Sequence, residues 1–119
     1  IMLNPARTVA ELKELRALTG DENGAQRVAF TETWVKARNW FKEKLKELPV
    51  EVHQDAAGNL WATLKGKSPK ELLIGGHIDS VPNGGWLDGC LDLVAGLEVL
   101  RRIAAQQSNG SQWNEPATA

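Results

Sequence analysis

The sequence of 119 residues lacks the features that mark several classes of protein. It contains one cysteine, Cys90, so no internal disulfide can form, which agrees with a reducing compartment. It has no stretch of about 18 apolar residues, the length that a membrane helix needs. Its first residues also lack the basic-then-apolar pattern of a secretory signal. We therefore expect a cytoplasmic protein without a membrane partner.

A strong charge of one sign is also missing. Fourteen basic and fifteen acidic residues leave a formal net charge of −1, with both signs interspersed along the predicted helices. The basic stripe that nucleic-acid-binding proteins use is absent, so a nucleic-acid partner is not expected. Hydrophobic residues make up 42% of the chain and charged residues 24%, close to the averages of soluble globular chains. This composition and length predict one folded domain with a packed core.

Three stretches with the apolar spacing of a buried helix face predict helices. The first runs from Arg7 to Leu18 and ends at Thr19-Gly20. The second begins at the capping residue Thr31 and ends near Leu48, before Pro49. The third runs from about Cys90 to Ala105, and Gln106 to Ala119 is predicted to be an exposed tail.

Three further segments predict strands. Val50 to His53 and Leu60 to Leu64 flank the turn-forming residues 55–59, which indicates a β-hairpin. Glu71 to Ile74 is apolar enough to be a strand buried on both faces, and we expect it to be central and covered by the third helix. Residues 21–29 read as a loop. The order of elements predicts an α/β fold with at least three strands and flanking helices.

The segment that carries chemistry lies between this third strand and the last helix, at residues 75–89. Open α/β folds bind ligands at such strand ends. His77 offers an imidazole, a common ligand for zinc and similar metals. Asp79, two residues on, lies on the same face of an extended backbone, where its carboxylate can hold the other ring N–H of His77. This spacing favours a metal-bound histidine supported by an acid.

Asp88 follows a glycine-rich turn and precedes the predicted helix, whose positive end favours an ionised carboxylate. A carboxylate with two free oxygens can bridge two cations. Gly84, Gly85 and Gly89 allow the loop to fold back, so that Asp88 reaches the same metals as His77. From spacing alone, a metal site and a structural role for these residues are both open.

Four other residues have both a functional and a structural interpretation. Cys90 is favoured as a buried thiol over a ligand or nucleophile, and His53 as a structural residue of the hairpin. Trp86 either lines a substrate pocket or fixes its loop to the core. For Glu98, inside a predicted helix, a solvent-facing or packing-related role is simpler than a functional one.

The segment GHIDSVPNGG at residues 76–85, followed by DG at 88–89 and AGLE at 95–98, closely resembles the first metal-binding block of one enzyme family. The family comprises the N-carbamoyl-L-amino-acid hydrolases, allantoate amidohydrolases and β-ureidopropionases. Residues 24–31, the region of Ala37-Arg38 and the segment DAAGNL at 55–60 are also similar to its N-terminal region. The resemblance covers essentially the whole chain.

The resemblance implies a partial αβα layered catalytic domain of a metallo-hydrolase. It implies that His77 binds one metal, that Asp88 bridges two, and that Asp79 is the acidic residue beside His77. Two divalent ions, usually zinc, manganese, nickel or cobalt, activate a water that attacks an amide or ureido carbonyl in that family. The implied substrates are small molecules such as N-carbamoyl-L-amino acids and allantoate.

The family's paired glutamates, its other metal-binding histidines and its lid domain lie on later segments and have no counterpart in residues 1–119. The resemblance therefore implies only the N-terminal part of the catalytic domain, inactive alone. One alternative is a truncated or split module that at most folds or binds a partner. Another is an aminopeptidase or carboxypeptidase of the same clan, which usually differs around residues 82–86. An exposed sheet edge would favour a homo-oligomer or a complementing chain.

Overall fold

The computed structural model describes residues 2–108 and confirms the mixed α/β class. These residues form three helices and four short strands. In chain order the elements are α1 Pro5–Thr19, β1 Gly20–Asp21, β2 Gly24–Ala25, α2 Glu32–Leu45, β3 Glu51–Gln54, β4 Leu60–Thr63 and α3 Cys90–Ser108. The strands pair as two separate antiparallel sheets, β1 with β2 and β3 with β4. The part of the predicted tail beyond Ser108 lies outside the described residues.

The helix ends follow from local capping. Helix α1 begins two residues earlier than predicted, because Pro5 occupies its first turn and the Asn4 side chain accepts the Arg7 backbone N–H at 3.1 Å. Helix α2 starts after Thr31, as predicted, and the Thr31 hydroxyl accepts the Trp34 N–H at 3.3 Å. It ends at Leu45 rather than near Leu48, because the chain tightens into turns over residues 46–48.

The hydrophobic core joins α1, α2 and the start of α3 to the chemistry-bearing segment. Helix α1 packs against both α2 and α3. Six buried residues form one cluster: Leu12, Leu15, Ala37, Ile78, Cys90 and Val94. Ile78 lies between His77 and Asp79, so burying its side chain fixes the backbone that carries both polar neighbours. Burial of a side chain of this size contributes about 1.5–3 kcal/mol.

Two small hairpins flank this core. In the β3–β4 hairpin, predicted nearly to the residue, Glu51 pairs with Thr63 and Gln54 with Leu60. The β1–β2 hairpin was not predicted, since residues 21–29 read as a loop. Ala25 at its end exchanges two backbone hydrogen bonds with Gly84, at 2.9 and 3.0 Å. This contact ties the first hairpin to the glycine-rich loop ahead of Asp88.

The predicted central strand at Glu71 to Ile74 is wrong for this structure. The segment has no strand partner among the described residues, and Leu72 and Leu73 are 77% and 67% exposed. A β-strand requires a neighbour to accept and donate its backbone hydrogen bonds, whatever its apolar content. The helix does cover one side of it: Ile74 Cγ2 lies 3.1 Å from where a Cβ on Gly96 would sit.

None of the helices in residues 2–108 combines the length and apolar character needed to cross a membrane.

Candidate metal centre

His77 and Asp79 lie together at the edge of the core. The Nδ1 atom of His77 lies 3.0 Å from the Asp79 carbonyl oxygen and 3.2 Å from its Oδ1 atom. Two acceptors at this nitrogen favour the tautomer in which Nδ1 carries the proton. The lone pair is then on Nε2, and half of the side-chain surface, 51%, is exposed. The imidazole therefore offers one free ligand atom.

Asp88 faces that free atom. Its Oδ2 atom lies 3.7 Å from His77 Nε2, and its side chain is 75% exposed. Two ligand atoms about 2.1 Å from a tetrahedral zinc ion lie about 3.4 Å apart, so the observed separation suits a shared metal with a small adjustment. Asp88 precedes the first residue of α3 by two positions.

Gly89 shapes the space around the imidazole. Its φ of +72° lies in the left-handed region, and a Cβ at this position would overlap the His77 ring and carbonyl oxygen. Gly76 is also tightly placed, because its Cβ would sit 2.7 Å from the Gly89 carbonyl oxygen. Two glycines thus let the His77 segment lie directly against the turn that carries Asp88.

The ligand set is small. Residues 2–108 contain no group of three or more His, Cys, Asp or Glu side chains arranged to hold a metal. Asp79 interacts with Nδ1, on the side of the ring away from the free nitrogen, as expected of a supporting acid. The pair His77 and Asp88 fits a first-row divalent metal by donor type, and it leaves most coordination positions to other groups.

Cys90 and Trp86 have structural roles. The Cys90 thiol is fully buried and donates to the Trp86 carbonyl oxygen at 3.0 Å, and burial raises its pKa, so the predicted buried thiol is confirmed. Trp86 packs against the core cluster, with the Arg16 guanidinium carbon 4.9 Å from the centre of its ring. This packing favours the interpretation that Trp86 fixes the loop.

His53 is exposed on the hairpin and stacks beside Trp61, with ring centroids 6.3 Å apart. It lies on a different segment from the His77 group and takes no part in it. The structural interpretation of His53 is therefore the one that the contacts support.

Sequence reasoning missed Arg27. The pattern placed it in a loop, yet its side chain is fully buried beneath the His77 segment. It donates from Nε to the Ile78 carbonyl oxygen at 2.7 Å. The signal that could have found it is its place in residues 24–31, a stretch singled out only for its resemblance to the family.

No protein-family profile matches the sequence. An uncharacterized hydrolase of Haemophilus influenzae is 36% identical over 106 residues, covering 87% of this chain and 26% of that protein. An N-carbamoyl-L-amino acid amidohydrolase of Geobacillus stearothermophilus is 39% identical over 82 residues, covering 67% and 20%. An allantoate amidohydrolase of Bacillus subtilis is 32% identical over 84 residues, covering 69% and 20%.

A solved structure shares the fold. The hydantoinase/carbamoylase family amidase of Burkholderia ambifaria superposes with a TM-score of 0.80 at 29% identity, over 92% of this chain and 28% of that one. The chain therefore spans between a fifth and about a quarter of the length of these relatives. Sequence and fold agree that the chain belongs to the family of N-carbamoyl-L-amino-acid and allantoate amidohydrolases.

Proposed function

We propose that this chain supplies the first metal-binding segment of a dinuclear metal-dependent hydrolase of linear amide or ureido C–N bonds. The observation that carries the proposal is the orientation of the His77 ring between two carboxylates. Its Nδ1 atom is held by Asp79, and its Nε2 atom faces the Asp88 carboxylate at 3.7 Å. That arrangement makes one nitrogen and one carboxylate available to the same ion.

Each side chain has a defined part in the proposal. His77 would be a metal ligand through Nε2, and Asp79 holds the ring's orientation. Asp88 is the bridging ligand, because its exposed carboxylate has two oxygens to offer. Two divalent ions, zinc, manganese, cobalt or nickel, would supply an activated water and polarise the substrate carbonyl.

The substrate proposal follows the names of the relatives, which include N-carbamoyl-L-amino-acid and allantoate amidohydrolases. Both names describe small molecules with linear ureido or amide groups. We therefore prefer such a substrate to a peptide, which a metallo-aminopeptidase or carboxypeptidase of the same clan would cleave. A cytoplasmic location, favoured by the single unpaired thiol, belongs to the same proposal.

The chain alone is proposed to bind metal weakly and to hydrolyse nothing at a useful rate. His77 and Asp88 leave most coordination positions to water, which limits affinity. Amide hydrolysis also needs a placed base to take the proton of the attacking water, and the resemblance assigns that base to a glutamate on a later segment. The exposed Leu72 and Leu73 favour a second copy or a complementing chain as a partner.

The test is a cobalt titration of the purified chain, because Co²⁺ reports nitrogen and oxygen ligands through its visible spectrum. His77→Ala should abolish the specific signal, since it removes the only ring nitrogen at the site. Asp79→Asn should leave the ligand and weaken binding about 10-fold to 100-fold, the usual effect of losing a supporting acid.

His53→Ala is the matched control, because the chain has two histidines and His53 lies on the hairpin. It should bind cobalt as the unmodified chain does. Loss of the signal in His53→Ala but not in His77→Ala, or no saturable binding by the unmodified chain, would contradict the proposed metal centre. In parallel, turnover of N-carbamoyl amino acids or allantoate by the chain alone would contradict its proposed inactivity.

A further inference from the structure

We propose that Arg27 is the positioning residue of this site, and that its guanidinium group sets the separation of His77 from Asp88. The positional part of the inference stands on the geometry. Its consequence for metal binding rests on the proposed function. Arg27 is fully buried and is the largest of the side chains with less than 2% exposure, although it carries a charge.

Arg27 holds the backbone on both sides of Asp79. Its Nε atom donates to the Ile78 carbonyl oxygen at 2.7 Å. Its backbone N–H donates to the Ser80 hydroxyl at 3.0 Å, and its carbonyl oxygen accepts the Ser80 N–H at 2.9 Å. With residues 78 and 80 fixed, the Asp79 side chain and carbonyl oxygen are presented to the His77 ring.

The other end of the guanidinium reaches the segment that carries Asp88. Its Nη2 atom donates to Cys90 Sγ at 3.5 Å, and Cys90 is the first residue of α3. The Cys90 backbone N–H in turn donates to the Asp88 carbonyl oxygen at 2.8 Å. One rigid, planar group therefore connects the His77 segment with the turn before α3.

The charge of Arg27 argues against a purely structural role. No carboxylate lies within ion-pair distance of it in residues 2–108, and its Nη1 atom has no hydrogen-bond partner there. Burying an unpaired cation lowers stability, and an apolar side chain of similar length would fill the space without that cost. The bonds to two separate segments are what an apolar residue could not supply.

The first test compares Arg27→Met and Arg27→Lys with the matched control Arg101→Met. Methionine keeps most of the unbranched stem and removes every side-chain donor. Lysine keeps the charge, but its donors share one nitrogen and lack the planar fork that spans the two segments. Arg101 is a largely buried arginine of α3, about 16 Å along the helix from Cys90. We expect Arg27→Met to weaken cobalt binding about 10-fold to 100-fold and Arg27→Lys to weaken it less. Arg101→Met should lower stability with cobalt affinity unchanged.

The second test needs no metal. Nitrogen-15 NMR at a pH where imidazoles are neutral reports which ring nitrogen carries the proton. His77 should show the Nδ1-protonated tautomer in the unmodified chain and lose it in Arg27→Met, while His53 in the same spectrum stays unchanged. Arg27→Lys keeps the charge and loses the planar fork, and it should shift the tautomer in the same direction by less. This milder variant keeps the test decisive if Arg27→Met does not fold.

The two tests separate the two proposals. A tautomer shift in Arg27→Met or Arg27→Lys in a chain that binds no cobalt would support the positioning role and overturn the metal centre. An unchanged His77 tautomer in those variants would overturn the positioning role even if cobalt binds the unmodified chain. Equal loss of cobalt affinity in Arg27→Met and Arg101→Met would overturn it as well, because general destabilisation would then explain both.

Discussion

Charged side chains in the middle of helix α3 and just before its first residue have opposite surroundings. In the middle of the helix, Glu98 accepts two bonds from the Arg7 guanidinium, both at 2.8 Å, and the Asn4 backbone N–H at 3.0 Å. Arg101, one turn on, donates to both oxygens of Glu11 at 2.6 and 2.7 Å. The side chains of Glu98 and Glu11 are each only 6% exposed. Two residues before the helix begins, by contrast, the Asp88 side chain is 75% exposed.

This contrast separates charged side chains that stabilise the fold from charged side chains that are free to bind a ligand. Every oxygen of Glu98 is occupied by a protein donor, and the hydrogen bonds from Arg7 lower its pKa to about 2. The carboxylate therefore joins α1 to α3. The prediction that Glu98 has a packing-related role is the one its contacts support, and the solvent-facing alternative is wrong. Asp88 and the Nε2 atom of His77 face each other beyond hydrogen-bond distance, which leaves both free to bind an ion.

Gly89→Val should disturb the His77 site most strongly. A β-branched residue at φ +72° costs about 1–2 kcal/mol, and its Cβ would also displace the His77 ring. We expect cobalt affinity to fall to that of His77→Ala, with a loss of unfolding free energy of about 1–3 kcal/mol. Cobalt titration and urea unfolding measure the two effects.

Gly75→Ala is the control for this change. A Cβ at residue 75 meets nothing within 4 Å, and the position lies only two residues from His77. It should change neither cobalt affinity nor stability noticeably. If Gly89→Val retained the affinity of the unmodified chain, the tight contact between Gly89 and the imidazole would have no part in the site.

How far the sequence predicts this molecule depends on the range of the interactions. The start of helix α2 and the β3–β4 hairpin were predicted nearly to the residue, because a cap at Thr31 and a turn at Asp55 to Asn59 are local signals. His77, Asp79 and Asp88 were placed together on a motif of 12 residues, which the structure keeps compact. The ligand roles stay predictions.

The features that sequence reasoning missed depend on distant partners. The predicted strand at Glu71 to Ile74 has residues typical of a strand, but no neighbouring strand pairs with it among the described residues. Arg27 is buried by contacts with residues more than 50 positions away, and no local pattern distinguishes it from an exposed loop arginine. The ion pairs of Glu98 with Arg7 likewise join residues 91 positions apart.

Glu98→Gln tests the buried ion pairs in the middle of helix α3. The change removes a charge that Arg7 and Arg101 both contact, and we expect a loss of unfolding free energy of roughly 1–3 kcal/mol with unchanged cobalt affinity. The folded pKa, about 2, lies below the ordinary value of 4.5. The ionised carboxylate therefore stabilises the fold above pH 4.5, and this contribution is lost as the pH falls through 2.

The difference in unfolding free energy between the unmodified chain and Glu98→Gln should accordingly be largest near neutral pH and shrink steadily below pH 4.5. Urea unfolding at several pH values measures it. Glu43→Gln is the control, since Glu43 forms an exposed pair with Lys46 at the C-terminal end of α2 and should contribute less than about 0.5 kcal/mol. A constant difference down to pH 2 would show that the ionised form is not the stabilising one.

Asp55→Asn should affect stability least. It separates the contribution of a carboxylate's hydrogen bonds from the contribution of its burial. Asp55 is a partly buried, solvent-accessible carboxylate, and its Oδ1 atom accepts the Ala57 and Asn59 backbone N–H groups at 3.0 and 2.9 Å. Its Oδ2 atom accepts the Trp61 Nε1–H at 2.9 Å and an Asn59 side-chain N–H at 3.0 Å. These hydrogen bonds lower the pKa of Asp55 from 3.8 to about 2, and the bond from Trp61 contributes most. An asparagine amide would place donors against two of these donors.

We expect Asp55→Asn to speed amide hydrogen exchange in the β3–β4 hairpin, with global unfolding and cobalt affinity unchanged, because water can replace bonds lost at a solvent-accessible site. The effect should be present above pH 3.8 and fade as the pH falls through 2, where the original carboxylate is itself protonated. Glu51→Gln, which loses only an exposed pair with Lys65, should leave exchange unaltered. A global loss as large as that of Glu98→Gln would mean that hydrogen-bond satisfaction alone, without burial, determines how strongly a carboxylate stabilises this fold.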